Sequence, residues 1–390
     1  MNYMKILFLA PQPFFTERGT PMAVKALVEA MSRHGWLVDI LTFHEGADIE
    51  CKNVRIIRTS EFSWITNIPP GFSFKKLVCD ALLLLKALKL AGSCEYQYVH
   101  AVEESVFIAE IIKNIYGIPY VYDMDSSMPE QIVEKRRFLS FLLPLLRWFE
   151  TKAIRRASVV VPVCDALARV AERSEGKSIL ILRDPPAFSI TSKTNSAEKK
   201  KQLGLAGTCF MYIGNLEVYQ GIDLLLNSIA MAVKKGAKIS LAVVGGTAFD
   251  IRKYEDMCTP LGIKDIVRFL GPKPVKEVGD IVAAADVLVS PRITGVNTPM
   301  KIYAYLNSGK PILATDIESH TQVLSREIAV LEPAVPERFA DGICRLASDP
   351  GLRSNLAEKA AKVALEKYSG RAFEKTVTEF CRLMESTIRV

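Results

Sequence analysis

Short apolar runs alternate along this chain with amphipathic stretches of helical length. Residues 5–10, 158–163 and 240–244 are almost entirely apolar, which is typical of strands buried on both faces of a parallel sheet. Helical periodicity follows over residues 21–34 and again over residues 222–235. A strand, a helix and a second parallel strand form a βαβ unit, so the pattern predicts an α/β fold with two Rossmann-like, doubly wound parallel sheets.

The two series of strands and helices are separated by a segment rich in Pro, Ser, Thr and Lys, which is typical of an interdomain linker. The length of 390 residues is enough for two domains of about 150–200 residues each. We therefore predict a first domain over residues 1–185, a linker over 186–200 and a second domain over 201–371. Residues 372–390 form a last helix, which we expect to return to the first domain.

One stretch of the second domain has the features of a phosphate-binding turn. An apolar strand over residues 286–290 is broken by polar residues and glycine, and Thr298 and Pro299 then have the composition of a helix start. Lys301 adds a positive charge to the first helical turn, where unpaired backbone N–H groups already favour an anion. On turn chemistry alone, a phosphate site and an ordinary strand-to-helix crossing with a solvated lysine are equally good interpretations.

Residues 298–314 also resemble the donor-sugar motif of family 4 retaining glycosyltransferases, whose fold is GT-B. The matching residues are Thr298, Pro299, Lys301, Ile302, Tyr305, Leu306, Gly309, Lys310, Pro311, Ile312, Leu313 and Ala314. The resemblance extends over nearly the whole chain and implies two Rossmann-like domains facing a cleft, with the donor diphosphate at this turn. The family places a glutamate that binds the donor ribose where this chain has Ala304, and a second acidic residue where it has Val296.

Further donor-binding positions follow from the same resemblance. Residues 214–221 are similar to a family loop in which two basic residues neutralise the diphosphate, and here Asn215 and Gln220 occupy those two positions. The glycine-bearing first loop of the family corresponds to Gly19 and Thr20, for which a simple helix cap is the alternative interpretation. The full set of donor-binding candidates is Gly19, Thr20, Gly214, Asn215, Gln220, Gly246, Arg292, Asn297, Thr298, Pro299, Met300 and Lys301.

Catalytic candidates lie where two strands of the first domain end. Polar side chains at the carboxyl ends of parallel strands are where open α/β sheets hold their chemistry. His100 and Glu103 follow one strand, and Asp123 and Asp125 follow the next. In the resembling family these strand ends line the acceptor site, with His100 matching one motif and Asp125 standing in place of a histidine. We predict that Asp125 contacts a hydroxyl of the transferred sugar or the acceptor, with His100 or Glu103 nearby; a capping role is the alternative for the aspartates.

A basic, aromatic and amphipathic segment covers residues 134–156. It is interpreted either as one long helix packed on the sheet or as a peripheral helix at an anionic membrane surface, near a lipid-linked acceptor. No window of about 18 uninterrupted apolar residues indicates a membrane span, and no signal peptide is recognised. We expect a cytoplasmic protein, with the inner face of the cell membrane as the alternative location.

Composition and charge agree with an anionic partner. The net charge is +7, spread along the chain, which favours phosphates or nucleotides and implies no nucleic-acid arm. The eight cysteines lack zinc spacing, so we expect no metal site and no cofactor besides a UDP- or GDP-linked sugar. The resemblance implies metal-independent, retaining transfer of a sugar to a glycan or lipid-linked acceptor. The alternative is an inactive nucleotide-sugar binder or scaffold, because the family's acidic and basic pairs are replaced here.

Overall fold

The computed structural model describes residues 4–62, 64–68, 73–135, 137–188, 190 and 195–388. The chain divides into two compact units. Unit 1 consists of Met1–Arg183 with Phe373–Val390, and unit 2 consists of Asp184–Ala372. No helix in the described part of the chain is long and apolar enough to cross a membrane.

Unit 1 contains a six-stranded parallel sheet in the order β3-β2-β1-β4-β5-β6. Its elements are β1 (Lys5–Ala10), α1 (Gly19–Arg33), β2 (Leu37–Thr42), β3 (Val54–Arg58), α2 (Phe74–Ser93), β4 (Tyr98–Val102), α3 (Val106–Tyr116), β5 (Tyr120–Met124), α4 (Met128–Lys135), α5 (Leu143–Arg156), β6 (Val159–Pro162) and α6 (Asp165–Arg173). Successive strands are added to one side of β1 as far as β3 and to its other side from β4 onwards. The boundary between β1 and β4 is therefore the switch point, where open α/β sheets bind ligands.

Unit 2 repeats the same strand order, β12-β11-β10-β7-β8-β9, again with parallel pairs throughout. Its elements are α7 (Ser196–Gln202), β7 (Thr208–Ile213), α8 (Ile222–Lys234), β8 (Ile239–Val244), α9 (Ala248–Leu261), β9 (Val267–Gly271), α10 (Val275–Val282), β10 (Val287–Ser290), α11 (Met300–Leu306), β11 (Ile312–Thr315), α12 (Glu318–Thr321), β12 (Val330–Glu332), α13 (Pro336–Ser348) and α14 (Pro350–Val363). The switch point lies between β7 and β10. These two sheets confirm the predicted α/β class with two doubly wound parallel sheets.

Burial on both faces explains why the strands are continuous apolar runs. Residues 6–10 of β1 are fully buried, and one face of this sheet packs on α1 and on the last helix, α15 (Gly370–Ile388). Phe380 of α15 lies in the same core cluster as Phe8 and Trp36. A parallel sheet covered on both faces positions its polar residues at the strand ends, because the strand interiors are dry.

Two helix starts differ from the predicted ones. Helix α11 begins at Met300, and Pro299 is its N-cap with a ψ of 130° that lies outside the helical region. Thr298 is therefore not the cap residue. Helix α1 likewise begins at Gly19, so Thr20 lies in its first turn and does not cap it.

The prediction of one long helix over residues 134–156 is wrong. This segment contains the end of α4, a 3₁₀ turn over Arg137–Leu142 and then α5. Pro144 lies in the first turn of α5, where its missing N–H costs nothing and its ring starts a new helix.

Candidate functional site

The switch point of unit 2 brings two loops together. One loop, residues 214–221, follows β7, and the other, residues 291–299, follows β10; the two strands are neighbours in the sheet. The amide of Ile293 donates to the carbonyl of Tyr219 at 2.9 Å, which joins the loops directly. Two of the loops that carry predicted donor-binding residues therefore lie side by side.

Glycines permit the close approach of these loops. Gly221 has a φ of +72°, and a Cβ at this position would lie 2.0 Å from the carbonyl oxygen of Pro291. Gly214 has a φ of +146°, and a Cβ there would lie 3.1 Å from Nζ of Lys301. Positive φ and a missing side chain are both required, so no other residue type fits either position without a shift.

Lys301 is the central cation of this region. It is 9% exposed, and its Nζ donates to Oε1 of Gln220 at 2.9 Å and lies 4.0 Å from the ring centre of Tyr212. Burial lowers its pKa well below the usual value, and the nearby charge of Arg292 lowers the pKa further. Within the described residues no carboxylate pairs with Lys301, so an anionic ligand would supply the missing counter-charge.

Arg292 has a different task from Lys301, because its guanidinium is turned towards its own loop. Nε donates to the carbonyl of Thr294 at 2.6 Å, Nη1 to the carbonyl of Asn297 at 3.0 Å and Nη2 to Oδ1 of Asn297 at 3.0 Å. The structure thus brings the predicted residues Arg292 and Asn297 together. Their contacts order the loop that precedes α11.

The remaining predicted residues of unit 2 lie on the loops that follow β7, β8 and β10 and at the start of α11. Asn215 is exposed and Gly246 half-buried, and a Cβ on Gly246 would lie 2.5 Å from the side chain of Leu216. Thr298 is buried with a hydroxyl that has no hydrogen-bond partner in the described part of the chain. Pro299 and Met300 are half-buried at the start of α11.

The structure also shows what occupies the positions of the absent carboxylates. Ala304 is 1% exposed and packs in the core cluster under α11, together with Leu288 and Ala314. Val296 contributes its carbonyl, which accepts a hydrogen bond from Nε2 of Gln322 at 2.9 Å. A carboxylate in place of Ala304 would have to displace apolar neighbours in this chain.

Two further side chains of this region, His320 and Tyr212, were not among the predicted site residues. His320 is fully buried, and its ring contacts Ser290 and Thr315 at the ends of β10 and β11. Tyr212 lies at the end of β7 and donates to the carbonyl of Asn215 at 2.6 Å. Tyr212 lies near the end of a buried strand and His320 follows one. This position near a strand end was the only feature of the sequence that could have marked them as site residues.

His100 is placed deep in unit 1. It is fully buried on β4, stacked on Phe8 with a centroid distance of 4.4 Å and edge-on to Phe380. Its Nε2 lies 2.9 Å from Oδ2 of Asp123 on the neighbouring strand β5. The structure therefore brings His100 and Asp123 together as a buried pair, and the predicted catalytic role of His100 stays a prediction.

Glu103 and Asp125 follow β4 and β5 at the same edge of the sheet. Glu103 is a non-glycine residue with a φ of +50°, a left-handed conformation that is strained for most side chains. The hydroxyl of Ser126 donates to Glu103 at 3.2 Å. Burial raises the pKa of Glu103 to about 7, with further contributions from the neighbouring carboxylates Glu104 and Asp123. Asp125 is half-buried directly after β5.

Helix α2 adds a charged pair to this edge that the sequence did not indicate. Lys76 forms an ion pair with Glu104, and Asp80 lies one turn further along the helix. Burial raises the pKa of Asp80 to about 7, and the charge of Glu104 raises it further. Gly19 and Thr20 also belong to unit 1, in the first turn of α1, where Gly19 is exposed and Thr20 half-buried.

Comparison with known protein families identifies the second half of the chain. Residues 207–349 match the family described as glycosyl transferases group 1. Unit 2 carries a glycosyl transferases group 1 domain. This domain contains both loops of the β7–β10 switch point, including Lys301 and Arg292.

Similar proteins extend the comparison over the whole chain. An uncharacterized glycosyltransferase of Methanocaldococcus jannaschii is 24% identical over 365 residues, which cover 90% of each protein. Sucrose-phosphate synthase from Thermosynechococcus elongatus has the same fold, with a TM-score of 0.81, 17% identity and coverage of 98% of this chain and 99% of that one. Anabaena HepE in complex with UDP-glucose gives a TM-score of 0.75 at 18% identity, covering 97% and 100% of the two chains.

Proposed function

We propose that this protein is a retaining glycosyltransferase that moves a sugar from a UDP- or GDP-linked donor to an acceptor hydroxyl. The proposal is supported by one observation above all. Lys301, a buried cation with no carboxylate partner among the described residues, lies between two glycine-containing loops at the switch point of a glycosyl transferases group 1 domain. The solved HepE complexes contain UDP and UDP-glucose, which makes uracil the first base to test.

The chemical demand on the donor site is stabilisation of a leaving nucleoside diphosphate. Developing negative charge on that group needs cations or oriented dipoles that are already in place. Helix α11 has only seven residues, so we assign the larger share to the charge of Lys301 and the smaller share to the helix dipole. Metal independence, retention and a lipid-linked or polysaccharide-precursor acceptor remain parts of the proposal that rest on the resemblance.

A thermal-shift titration with UDP, GDP, ADP and their common sugar conjugates tests the donor site. A ligand that binds only the native state at 100 times its dissociation constant stabilises by about 2.7 kcal/mol, which is easily measured. A shift with one nucleotide would identify the base and select the donors to assay for turnover. If none of these ligands shifts the melting temperature, the donor-site assignment is wrong.

A second candidate function is a catalytically inactive nucleotide-sugar binder or a scaffold for an active glycosyltransferase. The observation that favours it is the buried, apolar environment of Ala304, which leaves no carboxylate where the resembling family has one. A binder would give a thermal shift with a nucleotide and no transfer from any donor. Release of the nucleoside diphosphate in the presence of acceptor extracts would rule this candidate out.

We also propose a peripheral contact with the membrane through α3 and α5. Leu145, Trp148 and Phe149 of α5 are all exposed, as is Ile115 of α3. The rings of Phe107 and Phe149 lie 6.5 Å apart and join the two helices into one apolar face. Co-sedimentation with anionic vesicles tests this contact. We expect wild type to bind, Trp148→Glu to bind more weakly, and Phe249→Glu, at an exposed aromatic residue of unit 2, to bind like wild type. Equal sedimentation of all three would contradict it.

A further inference from the structure

Three buried polar side chains form a continuous chain under the 291–299 loop of unit 2. Ser290 ends β10, Thr315 ends β11 and His320 lies on α12, and each of the three is fully buried. Burying a polar group costs free energy unless it is hydrogen-bonded. The arrangement of these bonds therefore indicates what the three residues hold in place.

The direction of each hydrogen bond is fixed by its acceptors. Nδ1 of His320 lies 2.9 Å from the carbonyl oxygen of Thr315, which can only accept, so Nδ1 carries the proton. Nε2 then accepts from the hydroxyl of Ser290 at 2.9 Å. The hydroxyl of Thr315 donates to the carbonyl of Arg292, and its oxygen lies 3.0 Å from Nδ1 of His320.

This pattern is independent of pH over the physiological range. Burial lowers the pKa of His320 to about 3, and the charges of Arg292 and Lys301 lower it further, against the bond to Thr315. The ring is therefore neutral, as the acceptor role of Nε2 requires. A protonated ring would lose the bond from Ser290, because both nitrogens would then be donors.

The chain of bonds ends on the loop that carries the donor-site candidates. Arg292 accepts from Thr315 through its carbonyl and donates through its guanidinium to two carbonyls of the loop, those of Thr294 and Asn297. Gln322, two residues after His320, donates to the carbonyl of Val296. The loop is thus held by the guanidinium of Arg292 within it, and by Thr315 at the end of β11 and Gln322 after α12.

We propose that His320 is a positioning residue for the donor site, which acts through Thr315 and Arg292 to hold the 291–299 loop in its ligand-binding conformation. The inference rests on the proposed function for the identity of the ligand. The alternative is that the three side chains contribute only to the stability of unit 2. The two possibilities differ in where a substitution has its effect: on the loop and on nucleotide affinity, or on the melting temperature alone.

Two conservative variants of His320 separate its two bonds. His320→Asn retains an N–H donor close to the position of Nδ1 and loses the acceptor for Ser290. His320→Gln retains an acceptor close to the position of Nε2 and loses the donor to Thr315. Because the link to Arg292 runs through Thr315, the glutamine variant should behave like Thr315→Val, which removes the hydroxyl while keeping the shape.

The experiment measures UDP affinity by calorimetry and amide hydrogen exchange of residues 292–299 in the full-length protein. Loss of one buried hydrogen bond should weaken UDP binding about tenfold in Thr315→Val and His320→Gln, and should speed exchange of the loop. His320→Asn should stay within about threefold of wild type in affinity. The double variant Thr315→Val with His320→Gln should be no weaker than either single variant, because both break the same link.

Ser228→Ala is the matched control. Ser228 is also fully buried in unit 2, and its hydroxyl donates to the carbonyl of Leu224 at 2.7 Å within α8, with no bond to the loop. It should lower the melting temperature and leave UDP affinity and loop exchange unchanged.

If Thr315→Val and His320→Gln behave like Ser228→Ala, the proposal is overturned and the network is only structural. If wild type itself binds no UDP, GDP or ADP, the proposed function fails. The exchange rates of residues 292–299 in the free protein then decide by themselves whether His320 holds the loop.

Discussion

The two switch points of this protein have the same backbone topology and opposite charge. In unit 1, the ends of β4 and β5 carry Glu103, Asp123 and Asp125. In unit 2, the corresponding edge carries the cations Lys301 and Arg292 between glycine turns. Strand order fixes where a ligand binds, and the side chains placed there determine which chemistry the ligand needs.

Burial disfavours the charged form of the central group at both edges. It raises the pKa of Glu103 to about 7 and lowers the pKa of Lys301 well below its usual value. A buried acid near neutrality suits proton transfer to or from a hydroxyl, whereas a buried lysine that pairs with no carboxylate of the described residues suits an anion. The comparison therefore assigns the acceptor chemistry to unit 1 and the phosphate chemistry to unit 2 under the proposed function.

The largest expected effect is on turnover, and it comes from a substitution at the acidic edge of unit 1. Asp125→Asn keeps the shape of the side chain and removes its charge, so turnover should fall by about 10²–10⁴-fold while nucleotide affinity stays unchanged. Turnover is measured as sugar transfer from the donor identified by thermal shift, and nucleotide affinity is measured by calorimetry. Asp341→Asn, at an exposed carboxylate paired with Lys235, is the control and should leave both intact. Full activity of Asp125→Asn would remove this residue from the site.

A glycine substitution tests how closely the loops of unit 2 must approach each other. Gly221 and Gly262 have nearly equal φ values of +72° and +69°, but only at Gly221 would a Cβ collide, with the carbonyl of Pro291. Gly262→Ala should lower the free energy of unfolding by about 1 kcal/mol. Gly221→Ala should lower it by about 2–4 kcal/mol and should also weaken nucleotide binding. Urea unfolding gives both values, and equal losses would show that the loops can separate without cost.

Removal of the central cation should affect unit 2 alone. Lys301→Ala should weaken nucleotide binding by about 10–100-fold, the effect of losing a charged hydrogen bond, whether or not the protein is catalytic. Lys253→Ala is a fitting control, because Lys253 also lies over a tyrosine ring, that of Tyr254, at 4.5 Å. Unchanged affinity in Lys301→Ala would mean that the phosphates bind elsewhere.

Much of the fold could be predicted from the sequence because parallel strands buried on both faces are continuous apolar runs. The loops at the ends of β7 and β10 were identified from their glycines and from Lys301. Helix α9 was missed, since its exposed side chains and internal Pro260 weaken the helical pattern. The break between α4 and α5 was missed as well, although Pro144 marked it.

The site residues that escaped prediction are those whose partners are distant in sequence. Lys76 of α2 pairs with Glu104, which lies in the short turn after β4, and no regular spacing in the sequence predicts that these two residues meet. The sequence also did not show that Arg292 orders its own loop, because its hydrogen bonds depend on the conformation of residues 291–299. Electrostatic function at such positions is set by burial, which only the packed fold determines.

Opposite pKa shifts predict opposite pH dependence in the two units. In unit 1, burial raises the pKa of Asp80, Glu103 and Glu150 to about 7, so between about pH 4.5 and 7 the folded state binds more protons than the unfolded state. The stability of unit 1 should therefore fall as the pH rises through this window. In unit 2, the pKa of His320 is lowered to about 3, so the unfolded state binds the extra proton below about pH 6.5 and stability should rise with pH.

Urea unfolding at about pH 4.5 and pH 6.5 measures this effect, to which each of the titrating groups should contribute about 2 kcal/mol. All three tryptophans lie in unit 1, and Trp36 is buried, so their fluorescence follows that unit while circular dichroism follows both. Glu150→Gln should flatten the pH dependence of the unit 1 transition, which is followed by fluorescence. His320→Gln should flatten the pH dependence of the unit 2 transition, which is seen only by circular dichroism. Because each variant removes one titrating group, the difference from wild type isolates it from the remaining charges. If the midpoints of both transitions move in the same direction with pH, and neither variant changes this, then burial does not shift the pKa values of these groups as expected.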